Sequence, residues 1–369
     1  MASGIADAVI EQGIARDAVF VGRFIRDLSE PSKAPMYGIL PFSIIPYFSL
    51  FVHEASLKPD HVDPATRAEL SQDAEEIIAR SRHSLKLFED THRWIAGQID
   101  YFDDEILAAH SGHFLGNTWL PIARFLETDL GIFGYAGRII STTHSATFHI
   151  GIEPKHLLTA SGPYLIALFE RYGRFFSRLG ATLDSGPETF VTHLDATKLD
   201  AEHNERAAKY YARVFNGKDT PAINGLLVGF QGMMNFADTI VSAGGNVCDL
   251  EYTAFKIRYL ALYAVLASLR KLHGDTEYPL SSRSTGFVRS IIDSPEAQAI
   301  TERSAKPFRN TLMHYNLHSR FDVSKIDLGT SLFGLVPEYF PAYDEHTFGT
   351  LVDTCIRGTA SALNEWAVG

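Results

Sequence analysis

Arg309, Asn310 and His314 are the residues of this chain whose types and spacing could do chemistry. They fall in Lys306-Pro307-Phe308-Arg309-Asn310-Thr311-Leu312-Met313-His314-Tyr315-Asn316-Leu317, which reads as the beginning of a helix. Pro307 has no backbone donor and a fixed φ, so it suits a first helical turn, with Ser304 upstream as a candidate cap. The open N–H groups of such a turn favour an anion. A guanidinium beside them offers a fork of donors that matches phosphate oxygens. An imidazole titrates near neutral pH and can take or give a proton. The three together could hold a phosphodiester, deprotonate a ribose 2′-hydroxyl and stabilise the crowded phosphorane.

Helix geometry constrains that reading. Residues five apart on a regular helix point roughly 140° away from each other. His314 therefore shares a face with Asn310 and not with Arg309, so Arg309 must reach around the helix or the first turn must be irregular. The plainer alternative gives Arg309 a carboxylate partner and leaves His314 half-buried in a bundle.

Arginine, a polar residue, a short variable run and then histidine, on one helix of an α-helical bundle, resembles the signature of HEPN domains. The resemblance covers this stretch well and the last third of the chain loosely. It implies a metal-independent RNA endonuclease, such as a toxin or an anti-phage defence effector. Arg309 would bind phosphate, His314 would act as general acid/base, and Asn310 would complete the site. It further implies no cofactor, RNA as substrate, a homodimer in which two motifs face each other, and a regulatory protein partner. Some HEPN toxins carry a tyrosine two residues after the histidine, where a partner nucleotidyltransferase modifies it. Here Tyr315 follows directly and Asn316 holds that position, so that regulation is not carried over.

Two other function classes compete. Glu89 with His92 and Glu153 with His156 are Glu-x-x-His pairs, the spacing that places carboxylate and imidazole on one helix face in di-iron bundles. Against a metal, the second pair contains Pro154 at a helix start, and the extra carboxylates from two further helices are not evident. His144, His149 and His156 could approach one another, but three histidines spread along a loop do not define a metal site. His110 and His113 lie near a helix end marked by Gly112 and Gly116 and read as solvent-facing or capping. The remaining class is a non-catalytic α-helical protein that works by oligomerisation or partner binding.

Composition narrows the setting. The net charge of −11 argues against an extended nucleic-acid surface, which needs clustered Lys and Arg. A local patch survives over 301–325, where Arg303, Lys306, Arg309, Arg320 and Lys325 outnumber Glu302 and Asp322. Two cysteines, Cys248 and Cys355, imply a reducing compartment and no disulfide framework. Asp7 and Glu11 interrupt the N-terminal segment, which lacks the apolar core of a signal peptide. The run from Ile39 to Val52 is broken by Pro41 and Pro46 and is shorter than the roughly 20 residues of a membrane span. A cytoplasmic protein without a membrane partner is expected.

The elements that must position the motif read as an all-α, multi-helix protein with a C-terminal HEPN-like helical bundle, leaving room for a short β-hairpin near 138–150. Apolar periodicity predicts helices over 5–28, 63–99, 118–130, 154–180 and 188–215, the last on the surface, with 39–57 a buried connection or helix. Asn216 to Pro221 is the most loop-like point in the middle. It divides the chain into 1–216, a mainly helical region without an assigned role, and 222–369, the bundle. Within the bundle, helices are expected over 222–243 and 249–273, then from Ser294-Pro295 into the Arg309 stretch with a kink at Pro307, and finally from Asp344. A loop is expected through Pro279 and the Ser281–Ser284 cluster.

Overall fold

A computed structural model describes residues 2–58, 60–70, 75–76, 78–79, 95–157, 161–179, 188–216, 219–244, 251–317 and 321–368. The protein is all-α in class, with one small antiparallel sheet. Numbering helices of five residues or more in chain order, the first is α1, Ala2–Leu28. It is followed by α2, Leu40–Ser56, which is apolar nearly all round and accordingly central. Ile44, Ile45, Phe48, Leu50, Phe51 and Val52 are fully buried there, and the rings of Phe20 and Phe24 on α1 meet Phe48 edge-on. Pro46 sits inside α2, so this helix tolerates the loss of one backbone donor. Among the described residues no single helix is long and apolar enough to cross a membrane.

Asp63 caps a single turn at Pro64–Arg67 by accepting from the N–H groups of Ala65 and Thr66, as its type predicts. Most of the helix expected from there to 99 lies outside the described residues. It resumes as α3, Ile95–Tyr101, passes through a π-helical turn at Phe102–Leu107, and continues as α4, Ala108–Phe114. The sheet follows: β1 is Leu130–Tyr135 and β2 is Arg138–Thr142, a hairpin with an irregularity between Phe133 and Gly134. Thr142 then caps α5, Thr143–Ile150, in a reciprocal capping box with Ser145. The β-leaning residues Thr147 to Ile150 are thus helical: a satisfied cap outweighs their propensity. α6 is Ser161–Arg178 and packs on α1.

Two expected helices are absent. Residues 118–129 form turns and a 3-10 segment at Ala123–Leu126, with Trp119, Ile122, Phe125 and Leu126 facing solvent, while Leu130 is buried at the start of β1. Residues 188–215 break into 3-10 turns, the strand β3 (His203–Glu205) and α7 (Ala207–Tyr211). β3 pairs with β1, a long-range choice that local periodicity does not encode, and gives the order β2-β1-β3.

α8, Pro221–Asn235, crosses β2 at close range. A Cβ at Gly232 would sit 2.7 Å from the carbonyl oxygen of Ile140, so only glycine allows that approach. The remaining helices are α9 (Glu251–Gly274), α10 (Ser282–Ile292), α11 (Pro295–Ile300), α12 (Ala305–His314), α13 (Leu335–Tyr339) and α14 (Glu345–Val368). Ser281 caps α10 where a loop was expected, and α9, α10 and α14 pack against one another. One apolar core runs from α1 through α2 and α8 to α9 and α14, continuous across the 216–221 stretch.

Candidate functional site

α12 carries the motif, and its surroundings are set by α1, α2 and α9. Ser304 does not cap it: that hydroxyl donates to Glu302 Oε1, and no side chain caps the first turn. The helix is fixed by packing instead. Phe308 lies edge-on to Tyr259 and Phe340, and Thr311 shares a 2.8 Å hydroxyl hydrogen bond with Tyr339. Tyr315 ends the helix in the left-handed region, φ 55°.

That turn swings the Tyr315 ring under α1, where its hydroxyl donates to Asp17 Oδ2 at 2.6 Å. Gly13, one turn earlier on α1, makes room. A Cβ there would be 2.9 Å from Tyr315 Cδ1 and 3.2 Å from the Tyr252 hydroxyl. Asp17 is completely buried and accepts two further bonds, from Thr253 Oγ1 at 2.7 Å and Lys256 Nζ at 2.6 Å. The Lys256 ammonium, also fully buried, lies 4.3 Å from the Phe51 ring centroid and 4.1 Å from that of Tyr315. Burial lowers the Lys256 pKa, while Asp17 and the nearby Glu54 oppose that shift. The same burial raises Tyr315 and Tyr252 well above the usual phenol range.

Glu54, near the end of α2, stands between this cluster and the motif. His314 Nδ1 lies 2.8 Å from its Oε2. Burial pushes the Arg309 pKa down to about 10, with Glu54 opposing the shift. Arg309 is 1% exposed; its Nη1 donates to Asn310 Oδ1 at 2.5 Å, and its Cζ is 5.8 Å from the Tyr263 ring centroid. The structure thus brings Arg309, Asn310 and His314 into one neighbourhood, but the anion common to arginine and histidine is the protein's own Glu54. His314 keeps about a quarter of its side chain exposed, and Lys58 donates to Asn316 beside it.

Asp17, Glu54 and Lys256 escaped the sequence reading. Their signal was there: each is a single charge inside an otherwise apolar helical stripe, which must find a partner when buried. What the stripe does not reveal is which partner.

The metal alternative is only partly within the described residues. Among the described residues no group of three or more His, Cys, Asp and Glu could hold a metal ion. Glu153 and His156 are exposed, with Glu153 paired to Lys155, while Glu89 and His92 lie outside the described residues. His144 and His149 are buried and His156 is not, so the three do not form a set.

His110 is a correction. It is fully buried rather than solvent-facing or capping, 4.2 Å from His144 ring to ring, whereas His113 is exposed as expected. The Asp129 carbonyl lies 3.3 Å from His110 Nδ1 and 3.0 Å from His144 Nε2. A carbonyl only accepts, so a ring nitrogen bonded to it donates; the opposite nitrogens lie 2.9 Å from the Thr147 hydroxyl, which itself donates to backbone carbonyls, and 3.1 Å from the Tyr211 hydroxyl. Burial pushes His110 down to about 4 and His144 well below the usual imidazole value. Both rings are neutral structural hydrogen-bonding groups at neutral pH.

No family model matches this chain, and no curated protein or solved structure matches it either.

Proposed function

We propose that this chain is a non-catalytic α-helical protein that works by assembly or partner binding, with the Arg309–His314 stretch acting as a clamp between α12 and α2. The observation that carries this reading is the burial of Arg309 beside Glu54. A guanidinium 1% exposed cannot meet a phosphate of RNA unless α12 moves. A buried carboxylate, Glu54, holds His314 at 2.8 Å and acts electrostatically on Arg309 from nearby. Such groups hold helices in one register when every charge is matched.

A second reading, the metal-independent RNA endonuclease of HEPN type, is favoured by one observation. His314 remains partly open to solvent, with Asn316 and Lys58 next to it. One experiment separates the two. Wild type, Arg309→Ala and His314→Ala are incubated with RNA in excess chelator, and the melting temperature of each is recorded. The clamp reading expects no cleavage by any of them and a lower melting temperature for both variants. Cleavage by wild type that disappears in His314→Ala, with the melting temperature kept, would overturn it in favour of the nuclease.

A further inference from the structure

The segment between α4 and β1 places five large apolar side chains outside the core. Trp119, Ile122, Phe125 and Leu126 are 82–84% exposed and Leu120 is 47% exposed. Lone exposed apolar residues are ordinary, but five within eight positions form a surface with a purpose.

The neck beneath this tip is closed by polar contacts. The Glu127 carboxylate turns back to accept from the backbone N–H groups of Gly116 and Thr118. The Arg124 guanidinium turns back to donate to the Thr118 carbonyl. These are the charged side chains of residues 117–127, and both are committed to the loop's own backbone. Arg206 ties the neck to the start of α7 by donating to the carbonyls of Arg124 and Glu127, and Lys209 and Arg213 are exposed on the next turns. Glu205 is neutralised by Arg213 and His203. The backbone at the tip is partly self-satisfied by turns, with Ala123 N–H donating to Leu120 and Phe125 N–H to Ile122.

We infer that this loop inserts into the surface of a phospholipid bilayer. An uncharged tip of Trp, Phe, Leu and Ile matches the boundary between headgroups and acyl chains, where aromatic rings concentrate. A protein partner would leave a polar, charged rim around the tip free to pair. Here Glu127 and Glu205 are engaged within the chain, and Arg124 and Arg206, which are bonded to carbonyls and keep their charge, form with the exposed Lys209 a collar suited to lipid phosphates. Folding one carboxylate onto backbone amides also lowers the cost of bringing the neck to an interface that offers few hydrogen bonds.

The test is co-sedimentation of the full chain with pure phosphatidylcholine vesicles, with Trp fluorescence read in parallel. Wild type is expected to pellet with vesicles, with emission shifted to shorter wavelength and quenched by brominated phosphatidylcholine. Trp119→Phe should still pellet but lose the quenched signal, which assigns it to the tip. Ile122→Glu combined with Phe125→Glu should weaken partitioning by about tenfold or more, at unchanged melting temperature because both sites are solvated in the fold. Wild type that stays in the supernatant, or a double variant that pellets equally well, would overturn the proposal. So would self-association of wild type that is lost in the double variant without any vesicle binding, since a second copy would then cover the loop.

Discussion

His314 on α12 and Glu54 on α2 stand 2.8 Å apart, nitrogen to oxygen, and join the two ends of the chain through a carboxylate that is almost completely buried. The pair gives His314, read from the sequence as a candidate acid/base, a partner inside the chain. Removing the imidazole leaves Glu54 short of a donor in a dry setting. His314→Ala should therefore lower stability by roughly 1–3 kcal/mol, measured by urea unfolding. Glu54→Gln alone should cost a similar amount, and the double variant less than the sum of the two. Strict additivity would show that the contact contributes nothing.

Asp17 and Lys256 form the inner pair, both at 0% exposure. Lys256→Met removes the cation but leaves Asp17 with the Thr253 and Tyr315 hydroxyls as donors. Asp17→Leu strands the ammonium among the rings of Phe51 and Tyr315. Breaking one side of a buried pair costs about 3–5 kcal/mol, while replacing both with apolar residues is often close to neutral. Asp17→Leu should accordingly be the more damaging single change, and the double variant should regain much of the loss in a chemical-denaturation series.

Gly13→Ala should destabilise by roughly 1–3 kcal/mol through overpacking, because the new methyl would press on Tyr315 Cδ1. The same substitution in a Tyr315→Ala background should cost far less, since the ring that it meets is gone. An equal penalty in both backgrounds would place the strain elsewhere.

The buried imidazoles set an acid-side limit to stability. Burial holds His110 and His149 at about 4 and His144 well below its ordinary value of 6.5. Below 6.5 the unfolded chain takes up protons that the folded chain refuses, so stability is full above that pH and falls as pH drops from 6.5 towards 4. Each such histidine contributes a slope of about 1.4 kcal/mol per pH unit in that window. Asp129, whose carboxyl burial raises, works in the opposite sense in the carboxylate range. Unfolding free energies at about pH 7 and about pH 5 should differ accordingly, and His144→Phe should flatten the dependence. A flat wild-type profile would contradict the neutral assignment of the pair.

Much of the architecture was legible locally. Asp63 and Ser294 cap helices where their types and the prolines after them predict, since caps are local chemistry, whereas Thr142 and Ser281 cap helices where a hairpin and a loop were expected. The stripes of α1, α9 and α14 likewise follow from spacing alone. Residues 118–130 misled because helical periodicity reports apolar spacing but not whether a core lies beneath it. Only Leu130 of that stretch reaches the core, and Trp119 and Phe125 face outward. β3 was missed because a three-residue strand depends on its partner, β1, and not on its own sequence.

By itself, the sequence settled the all-α class, most helix starts and the presence of a guanidinium, an amide and an imidazole on one short helix. Only the tertiary structure decided what those groups face. Packing α2 against α12 put Glu54 beside Arg309 and His314, and packing α1 against α9 put Asp17 on Lys256. Helical spacing states which side chains share a face. It does not state which charge, from a helix far away in the chain, will be brought to that face to satisfy them once water is gone.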